Sequence, residues 1–281
     1  VVIDGKTSKA KAFKTGNNRI FELRMKDGRI LKASPDHQIY SLSDSGEFGW
    51  KRLSEIKSGD VVACDLAGQA GGIKSFEFQF HPGDKQRSKE WEIESFEEDI
   101  WEVLGWLVGD GNFREKHGSQ KGISTSLFYE RKVEESIMRR HLDILGKYNL
   151  PVNVYEGRDD IYEVKFNHQG FGEWLRSLGF IPSNGWTKPN CLPEVVFFLQ
   201  ERDRASFLRG LFSADGHLGA SDTPHLGCTD KGLLQDTQRL LWSMGMRSHY
   251  YHGKVAKDLG CGEKEYDDGK LWVYDKVKFF E

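Results

Sequence analysis

The spacing of apolar and polar positions changes along the chain from strand-like alternation to helical periodicity. Up to about residue 65, short alternating runs predict strands, with a hairpin turn at Asp27-Gly28. Residues 66–90 are rich in glycine and then polar, which is typical of a linker. From Ile100, the sequence IWEVLGWLVGDGNF is apolar on nearly every side and predicts a buried helix. Further strands are predicted over 123–129, 152–155 and 162–166, and helices over 133–145, ended by Gly146, and 171–178, ended by Gly179.

The same order of elements then returns. ASFLRGLFSADGHLG again predicts a buried helix that ends in Asp-Gly, followed by an amphipathic helix over 232–244 and a strand over 247–252. The repeat is too long for a solenoid and predicts two similar halves that face each other. A last strand is predicted over Leu271–Phe280.

Composition excludes several classes of protein. The 281 residues, 38% of them hydrophobic, suffice for one or two domains with a real core, and no apolar run is long enough for a membrane helix. The four cysteines form no C-x-x-C pair, so we expect free thiols in a reducing compartment and a cytoplasmic protein.

Charge alone argues against a general nucleic-acid binder, because the formal net charge is −3. Residues 99–253 hold 18 basic and 20 acidic residues, so nucleic acid would have to meet one basic face. Residues 1–32 hold nine basic residues against three acidic ones, which indicates either a solvated strand face or an added nucleic-acid footprint.

Two matched helix ends carry the candidate chemistry. Asp110 and Asp215 each precede a glycine at the end of a buried helix. Small residues four positions apart share a helix face and let two backbones approach closely, and they occur in both helices: Gly105, Gly109, Gly210 and Ala214. If the helices pack side by side, the two carboxylates meet and need a cation between them. Mg²⁺ suits such an oxygen site and would assist phosphodiester hydrolysis, whereas a single Asp-Gly corner is usually only a turn.

A family resemblance appears at these helices. LRGLFSADG at 208–216 resembles the LAGLIDADG motif of homing endonucleases, differing at Arg209, Phe212 and Ser213, and VLGWLVGDG at 103–111 resembles the first motif of two-motif members. The resemblance covers about residues 100–253. It implies two αββαββα-like halves with pseudo-two-fold symmetry, an antiparallel saddle in the DNA major groove, and double-strand cleavage that leaves 3′ overhangs.

The resemblance also implies site residues. The family's metal-binding acids fall on Asp110 and Asp215, and its helix contacts fall on Gly105, Gly109, Gly210 and Ala214. Lys188 resembles the lysine that supports the transition state. Lys254 and Glu130 are weaker candidates, for a second lysine and for a polar residue near metal-bound water, and each is also explained as an ordinary surface residue. The implied cofactor is Mg²⁺, or another divalent cation such as Mn²⁺ or Ca²⁺, and the implied partner is a long, specific site in double-stranded DNA bound by a monomer.

The flanks resemble a second family. GRILKASPDHQIYS, followed by WKRLSEIKSGDVVA, is similar to the self-splicing Hint fold of inteins. The Thr-x-x-His motif of that family falls on Ser34 and His37, and its C-terminal motif acid falls on Asp275 in LWVYDKVKFFE. An imidazole can protonate a departing amide nitrogen, which is the role implied for His37.

The resemblances together predict an α+β protein in which a β-rich Hint domain, residues 1–92 plus 254–281, is interrupted by an endonuclease domain at 93–253. The sequence starts at Val1 without a Cys or Ser nucleophile and stops at Glu281 without a His-Asn pair, so we expect no splicing from this stretch by the usual route.

The predicted function is site-specific DNA cleavage. Two alternatives stay open at this stage. One is a DNA-binding regulator that has the same scaffold and no catalysis, and the other is a splicing element whose endonuclease part is idle. The presence of both aspartates favours the enzyme over the regulator.

Overall fold

The computed structural model describes most of the chain. The described residues are 2–3, 6–7, 11, 14, 16–43, 45–64, 77–82, 90–93, 99–116, 122–157, 160–181, 190–219, 221–258 and 263–280.

Short antiparallel strand pairs make up the described N-terminal residues. The pairs are β1 (Val2–Ile3) with β2 (Lys6–Thr7), β3 (Phe21–Arg24) with β4 (Ile30–Ala33), β5 (Gln38–Leu42) with β6 (Phe48–Arg52), and β7 (Phe78–Phe80) with β8 (Trp91–Ile93). The predicted hairpin at Asp27-Gly28 is confirmed, and Gly28 adopts a φ of +89° that favours glycine. A short 3-10 helix, Leu53–Glu55, follows β6.

The first repeat alternates helices with pairs of strands. It consists of α1 (Asp99–Asp110), β9 (Gly111–Lys116), β10 (Gly122–Glu130), α2 (Glu135–Lys147), β11 (Val152–Glu156), β12 (Ile161–Asn167) and α3 (Gln169–Ser177). A 3-10 helix, Glu194–Phe198, lies between the repeats.

The second repeat has the same sequence of elements. It consists of α4 (Glu201–Asp215), β13 (Gly216–Leu218), β14 (Pro224–Cys228), α5 (Lys231–Ser243), β15 (Ser248–Asp258), β16 (Glu263–Val273) and α6 (Lys276–Phe280). The strand orders also agree, β9-β10-β12-β11 in one sheet and β13-β14-β16-β15 in the other, all antiparallel. The prediction of two αββαββα halves is therefore confirmed.

The two repeats share one apolar core, built around α1 and α4. Residues 100–109 of α1 are all buried, and Trp106 and Leu211 are among the fully enclosed side chains. Burial on every side explains why α1 lacks a polar face. Among the described residues, no helix is long and apolar enough to cross a membrane.

The predicted domain limits differ from the observed packing at both ends. Residues 254–273 belong to the second sheet, since β15 runs unbroken through the boundary at 253/254 and pairs with β16 over its full length. At the other end, Trp91 of β8 packs on Phe171 and Trp174 of α3, with ring centroids 5.9 and 6.3 Å apart. The hairpin β7–β8 thus joins the first repeat, so the boundary at 92/93 separates residues that pack together.

Two local predictions were wrong. The final strand ends at Val273 rather than continuing to 280, because α6 turns Phe279 onto Phe212 of α4, with the ring centroids 4.8 Å apart. Helix α2 continues through Gly146 to Lys147, and the positive φ that follows it belongs to Asn149, at 54°. By contrast, Gly179 has a φ of +83°, as its predicted place after a helix requires.

Candidate functional site

Helices α1 and α4 touch backbone to backbone at two glycines. A Cβ added to Gly105 would overlap the carbonyl oxygen of Phe207, and one added to Gly210 would overlap the carbonyl oxygen of Glu102. The two clashes are reciprocal, as expected for helices related by a two-fold axis. No larger residue fits at either position without moving a backbone.

The approach stays close at the acidic ends of the helices. A Cβ on Gly109 would lie 2.5 Å from the Cβ of Ala214 and 3.5 Å from carboxylate oxygen Oδ2 of Asp215. Because Asp110 directly follows Gly109, both aspartates lie at the end of the same contact between α1 and α4. Both are half-buried, and each is followed directly by the edge strand of its own sheet, β9 or β13.

Two glutamates add negative charge at the first corner. Burial raises the pKa of Glu134, and the charges of Asp110 and Glu130 raise it further, whereas the backbone N–H of Glu130, 2.6 Å from Oε2 of Glu134, lowers it. Glu134 stands just before α2 and was missed by the sequence analysis. The available signal was the place of Glu134 at the start of the helix predicted over 133–145, shortly after the strand predicted over 123–129.

The donor set at this corner suits a hard cation. Within the described ranges, no three His, Cys, Asp or Glu side chains are arranged to hold a metal ion. The pair Asp110 and Asp215 offers carboxylate oxygens alone, so water and phosphate oxygens would have to complete an octahedral shell. Mg²⁺ usually binds in this way, through one or two carboxylates together with waters and substrate phosphates.

An ionic cluster around the buried carboxylate of Glu102 supports the other end of the helix pair. Glu102 of α1 accepts hydrogen bonds from Arg140 of α2 at 3.0 Å and from Arg209 of α4 at 2.8 Å. Burial alone would raise the pKa of Glu102, but hydrogen bonds from His141 and Arg140 and the charge of Arg209 lower it to about 2. Arg209, one of the departures from the LAGLIDADG motif, therefore links the two repeats.

The cluster continues into the first sheet through His141. Nδ1 of His141 lies 2.8 Å from the hydroxyl of Tyr129, and the Tyr129 ring stacks on Trp106 with centroids 4.8 Å apart. Burial lowers the pKa of His141, against the opposing effect of Glu102. The lone Glu102 in an otherwise apolar helix was the sequence signal for this cluster, which the sequence analysis did not use.

The remaining nuclease candidates have less support. Lys188 lies outside the described residues. Lys254 is exposed on β15 and pairs with Glu265 of β16 at 3.3 Å. Glu130 is exposed at the end of β10.

The candidate splicing residues lie on two different parts of the fold. Ser34 and His37 close one turn, in which the His37 N–H donates to the Ser34 carbonyl at 3.0 Å, and the His37 side chain is exposed. Asp275 lies after β16 in the second repeat. Arg247 donates to it from Nη2 at 2.7 Å and from the backbone N–H at 2.5 Å, and these bonds lower the pKa of Asp275.

Comparison with known families places a match on the second repeat. The family model of the LAGLIDADG-like domain matches residues 203–266, which include the motif at 208–216. The match begins in α4 and ends in β16, so it includes the residues predicted to lie beyond the nuclease boundary at 253.

The chain is also similar to segments of larger proteins. It is 28% identical over 256 residues to ribonucleoside-diphosphate reductase NrdEB subunit alpha of Bacillus subtilis, covering 85% of this chain and 21% of that protein. It is 26% identical over 249 residues to a DNA polymerase of Thermococcus litoralis, and the match covers 84% of this chain and 13% of that protein. It is 23% identical over 272 residues to the replicative helicase DnaB of Synechocystis, and the match covers 92% of this chain and 27% of that protein. The chain thus spans about a quarter or less of these relatives.

Solved structures to which the chain shows similarity include the homing endonuclease I-DmoI. Its complex with DNA and Mn has a TM-score of 0.45 at 15% identity, covering 65% of this chain and 93% of that one. A variant in complex with its target DNA in the presence of Mg scores 0.47 at 16% identity, with the same coverage. The N-terminal LAGLIDADG domain of WhiA has a TM-score of 0.37 at 14% identity, and the match covers 65% of this chain and 77% of that one.

Proposed function

We propose that this chain is a metal-dependent, site-specific DNA endonuclease that cuts both strands and leaves 3′ overhangs. One observation carries the proposal: Gly109, next to Asp110, lies against Ala214 and Asp215, so the matched helix ends bring two carboxylates to one place. The family-model match over residues 203–266 supports the same conclusion.

Asp110 and Asp215 would hold the cation, which is Mg²⁺ or a substitute such as Mn²⁺ or Ca²⁺. A bound divalent ion lowers the pKa of water and stabilises the leaving oxygen of the scissile phosphodiester. The helix pair fixes the separation of the two carboxylates, and Lys188 would stabilise the charge that develops on the phosphate.

Duplex DNA would lie across the faces of the two sheets that point away from α1 and α4. Strand side chains can read bases in the major groove, while lysines and arginines fix the register through phosphates. Both halves are present in one chain, so a monomer suffices for a long recognition site. A regulator without catalysis would have no use for the paired acids, which favours the enzyme.

The N-terminal segment is proposed to be part of a Hint splicing element, with Ser34 and His37 in the roles implied by its motifs, whereas Asp275 lies in the second repeat. The support comes from the relatives. A match over 85% of this chain cannot be confined to residues 93–253, and it recurs as a minor part of a reductase, a polymerase and a helicase. A segment shared by proteins of such different activities behaves as an inserted element.

Sequencing of DNA ends tests the nuclease without knowledge of its target. The protein would be incubated with pooled bacterial and archaeal genomic DNA, with Mg²⁺ or with EDTA, and the new ends mapped. We expect recurrent paired breaks with 3′ extensions at few positions, only with Mg²⁺. Breaks that persist in EDTA, or the absence of any recurrent site, would contradict the proposal.

A further inference from the structure

Three exposed aromatic side chains lie side by side on the hairpin β5–β6 and form an aromatic platform: Tyr40, Phe48 and Trp50. Tyr40 is paired directly with Trp50, and Phe48 lies two residues before Trp50, so all three occupy one face. The ring centroid of Tyr40 is 5.0 Å from that of Trp50 and 5.5 Å from that of Phe48. Trp50 is 69% exposed, although a ring of this size is mostly buried in folded proteins.

The aromatic platform is the outer face of a small sheet whose other face is buried. Ile39 and Ser41, the neighbours of Tyr40 in β5, are both buried. On the far side of β5, the N–H of Leu42 donates to the carbonyl of Val61 at 2.8 Å, and the Val61 side chain is also exposed. The buried face therefore holds the sheet in place, while the outer face offers a contiguous apolar surface of the kind that marks a binding site.

The charge on this small sheet is positive. Its three strand segments, residues 38–42, 48–52 and 61–63, contain two basic residues and no acidic one. One of the two, Arg52, is exposed and follows Trp50 by two residues, so it lies on the same face as the aromatic platform. A guanidinium is thus placed beside the rings.

Net charge also separates the N-terminal segment from the rest of the chain. Residues 1–64 hold 12 basic and 8 acidic residues, whereas residues 65–281 hold 28 basic and 35 acidic ones. Glu47 and Glu55 are exposed beyond the two ends of β6, and the segment as a whole remains basic. A polyanion is therefore attracted to the part of the chain that contains the aromatic platform.

Exposed rings beside a basic group suit one class of polyanion. Unpaired bases have free π-faces that stack on aromatic side chains, while their phosphates contact lysine and arginine. In a duplex those π-faces are covered by neighbouring bases, so rings on a protein surface cannot stack on them without unstacking the helix.

We propose that the aromatic platform binds single-stranded DNA by base stacking, with Arg52 contacting a phosphate. The proposal goes beyond the cleavage of duplex DNA and does not depend on it. Duplex DNA would be held by the two repeats, so the N-terminal segment supplies a separate site for nucleic acid. Sequence preference at this site is weak, because every base has a π-face.

Fluorescence anisotropy of a labelled dT strand of about 15 nucleotides, measured in EDTA at low salt, tests the proposal. We expect Trp50→Ala and Tyr40→Ala each to weaken binding about tenfold, and Trp50→Phe to retain most of the affinity because a ring remains. Phe198→Ala, which removes an exposed aromatic ring outside the N-terminal segment, is the matched control and should bind as the unmodified chain does. A strand of abasic sugar phosphates of equal length should bind the unmodified chain about tenfold more weakly than dT.

The affinity for a duplex of mixed sequence separates this inference from the endonuclease proposal. The platform variants should bind the duplex as the unmodified chain does. Equal binding of the dT strand by Trp50→Ala and the unmodified chain, or equal binding of the dT and abasic strands, would overturn the inference and indicate a polypeptide as the occupant of the platform. Loss of duplex binding in Trp50→Ala by the same factor would also overturn it. Platform-dependent binding of the dT strand without any binding of duplex would contradict the endonuclease proposal alone.

Discussion

Arg209 of α4 donates a hydrogen bond from Nε to Oε2 of Glu102 of α1, at 2.8 Å. This contact joins the two repeats through the buried carboxylate of Glu102, and Arg140 adds a third helix to it. The pairing explains why one motif departs from LAGLIDADG at Arg209.

Removal of the Glu102 charge should destabilise the fold. In Glu102→Gln, the half-exposed side chains of Arg140 and Arg209 lose their charged acceptor, so we expect a loss of about 1 to 2 kcal/mol in the free energy of unfolding at pH 7. Urea denaturation measures it. Glu135→Gln, which breaks only the exposed pair with Arg139, is the control and should change stability by less than about 0.5 kcal/mol.

Stability should fall with acid in two stages. The folded pKa of His141 lies below its unfolded value of 6.5, so its contribution is present above pH 6.5 and is lost as the pH falls below that value. The folded pKa of Glu102 is about 2 against 4.5 unfolded, so its contribution is lost between those values. Denaturation at pH 7, 5 and 3 checks this, and the decline below pH 4.5 should be shallower in Glu102→Gln. An equal decline in both proteins would count against the assignment.

The close helix contact should not tolerate a methyl group. Gly105→Ala forces a Cβ into the Phe207 carbonyl, and we expect a loss of about 3 kcal/mol or more. Gly146→Ala, within α2 and with no atom within 4 Å of the added Cβ, should stabilise by about 0.5 to 1 kcal/mol. Melting temperatures that move in the same direction for both variants would argue against the packing explanation.

Loss of one carboxylate should separate cleavage from binding. Asp215→Asn keeps the shape of the helix end but removes half of the charge that would hold the cation, so we expect cleavage to fall by at least about a thousandfold with DNA affinity nearly unchanged. Rates on a mapped target site and anisotropy in EDTA measure the two effects. Asp143→Asn, on the exposed face of α2, should leave both unchanged.

The N-terminal hairpin should detach if its tip is enlarged. Gly28 has a φ of +89°, and an added Cβ would overlap the Tyr250 carbonyl, where Asp27 accepts a hydrogen bond from the Tyr250 N–H at 3.0 Å. Gly46 has a similar φ of +85° with nothing near it, so Gly46→Ala isolates the backbone strain, which costs about 1 to 2 kcal/mol. We expect Gly28→Ala to cost more and to increase hydrogen exchange in β3 and β4, measured by mass spectrometry.

The repeat and its acids could be predicted from sequence because they depend on local signals. A buried helix with small residues four apart, ending in Asp-Gly, can be recognised within about ten residues, and its recurrence in the second half indicates the symmetry. The domain boundaries could not be predicted from such local patterns. Nothing local to residues 254–273 indicates that they complete the second sheet, since that depends on pairing with β14.

Contacts across elements could not be predicted from sequence for the same reason. Arg209 meets Glu102 only after two helices distant in sequence pack, and His225 stacks on Trp272 only in the register of β14 with β16. The end of α2 was misjudged because Gly146 is a frequent terminator, whereas Asn149 takes the left-handed conformation in this chain.

Asp110 and Asp215 are the last residues of the two helices that fill the core, with no loop between them and that core. The two acids should therefore lose their arrangement only when the helix pair itself unfolds. If they cut DNA, loss of activity on warming should coincide with cooperative melting of the whole domain rather than precede it.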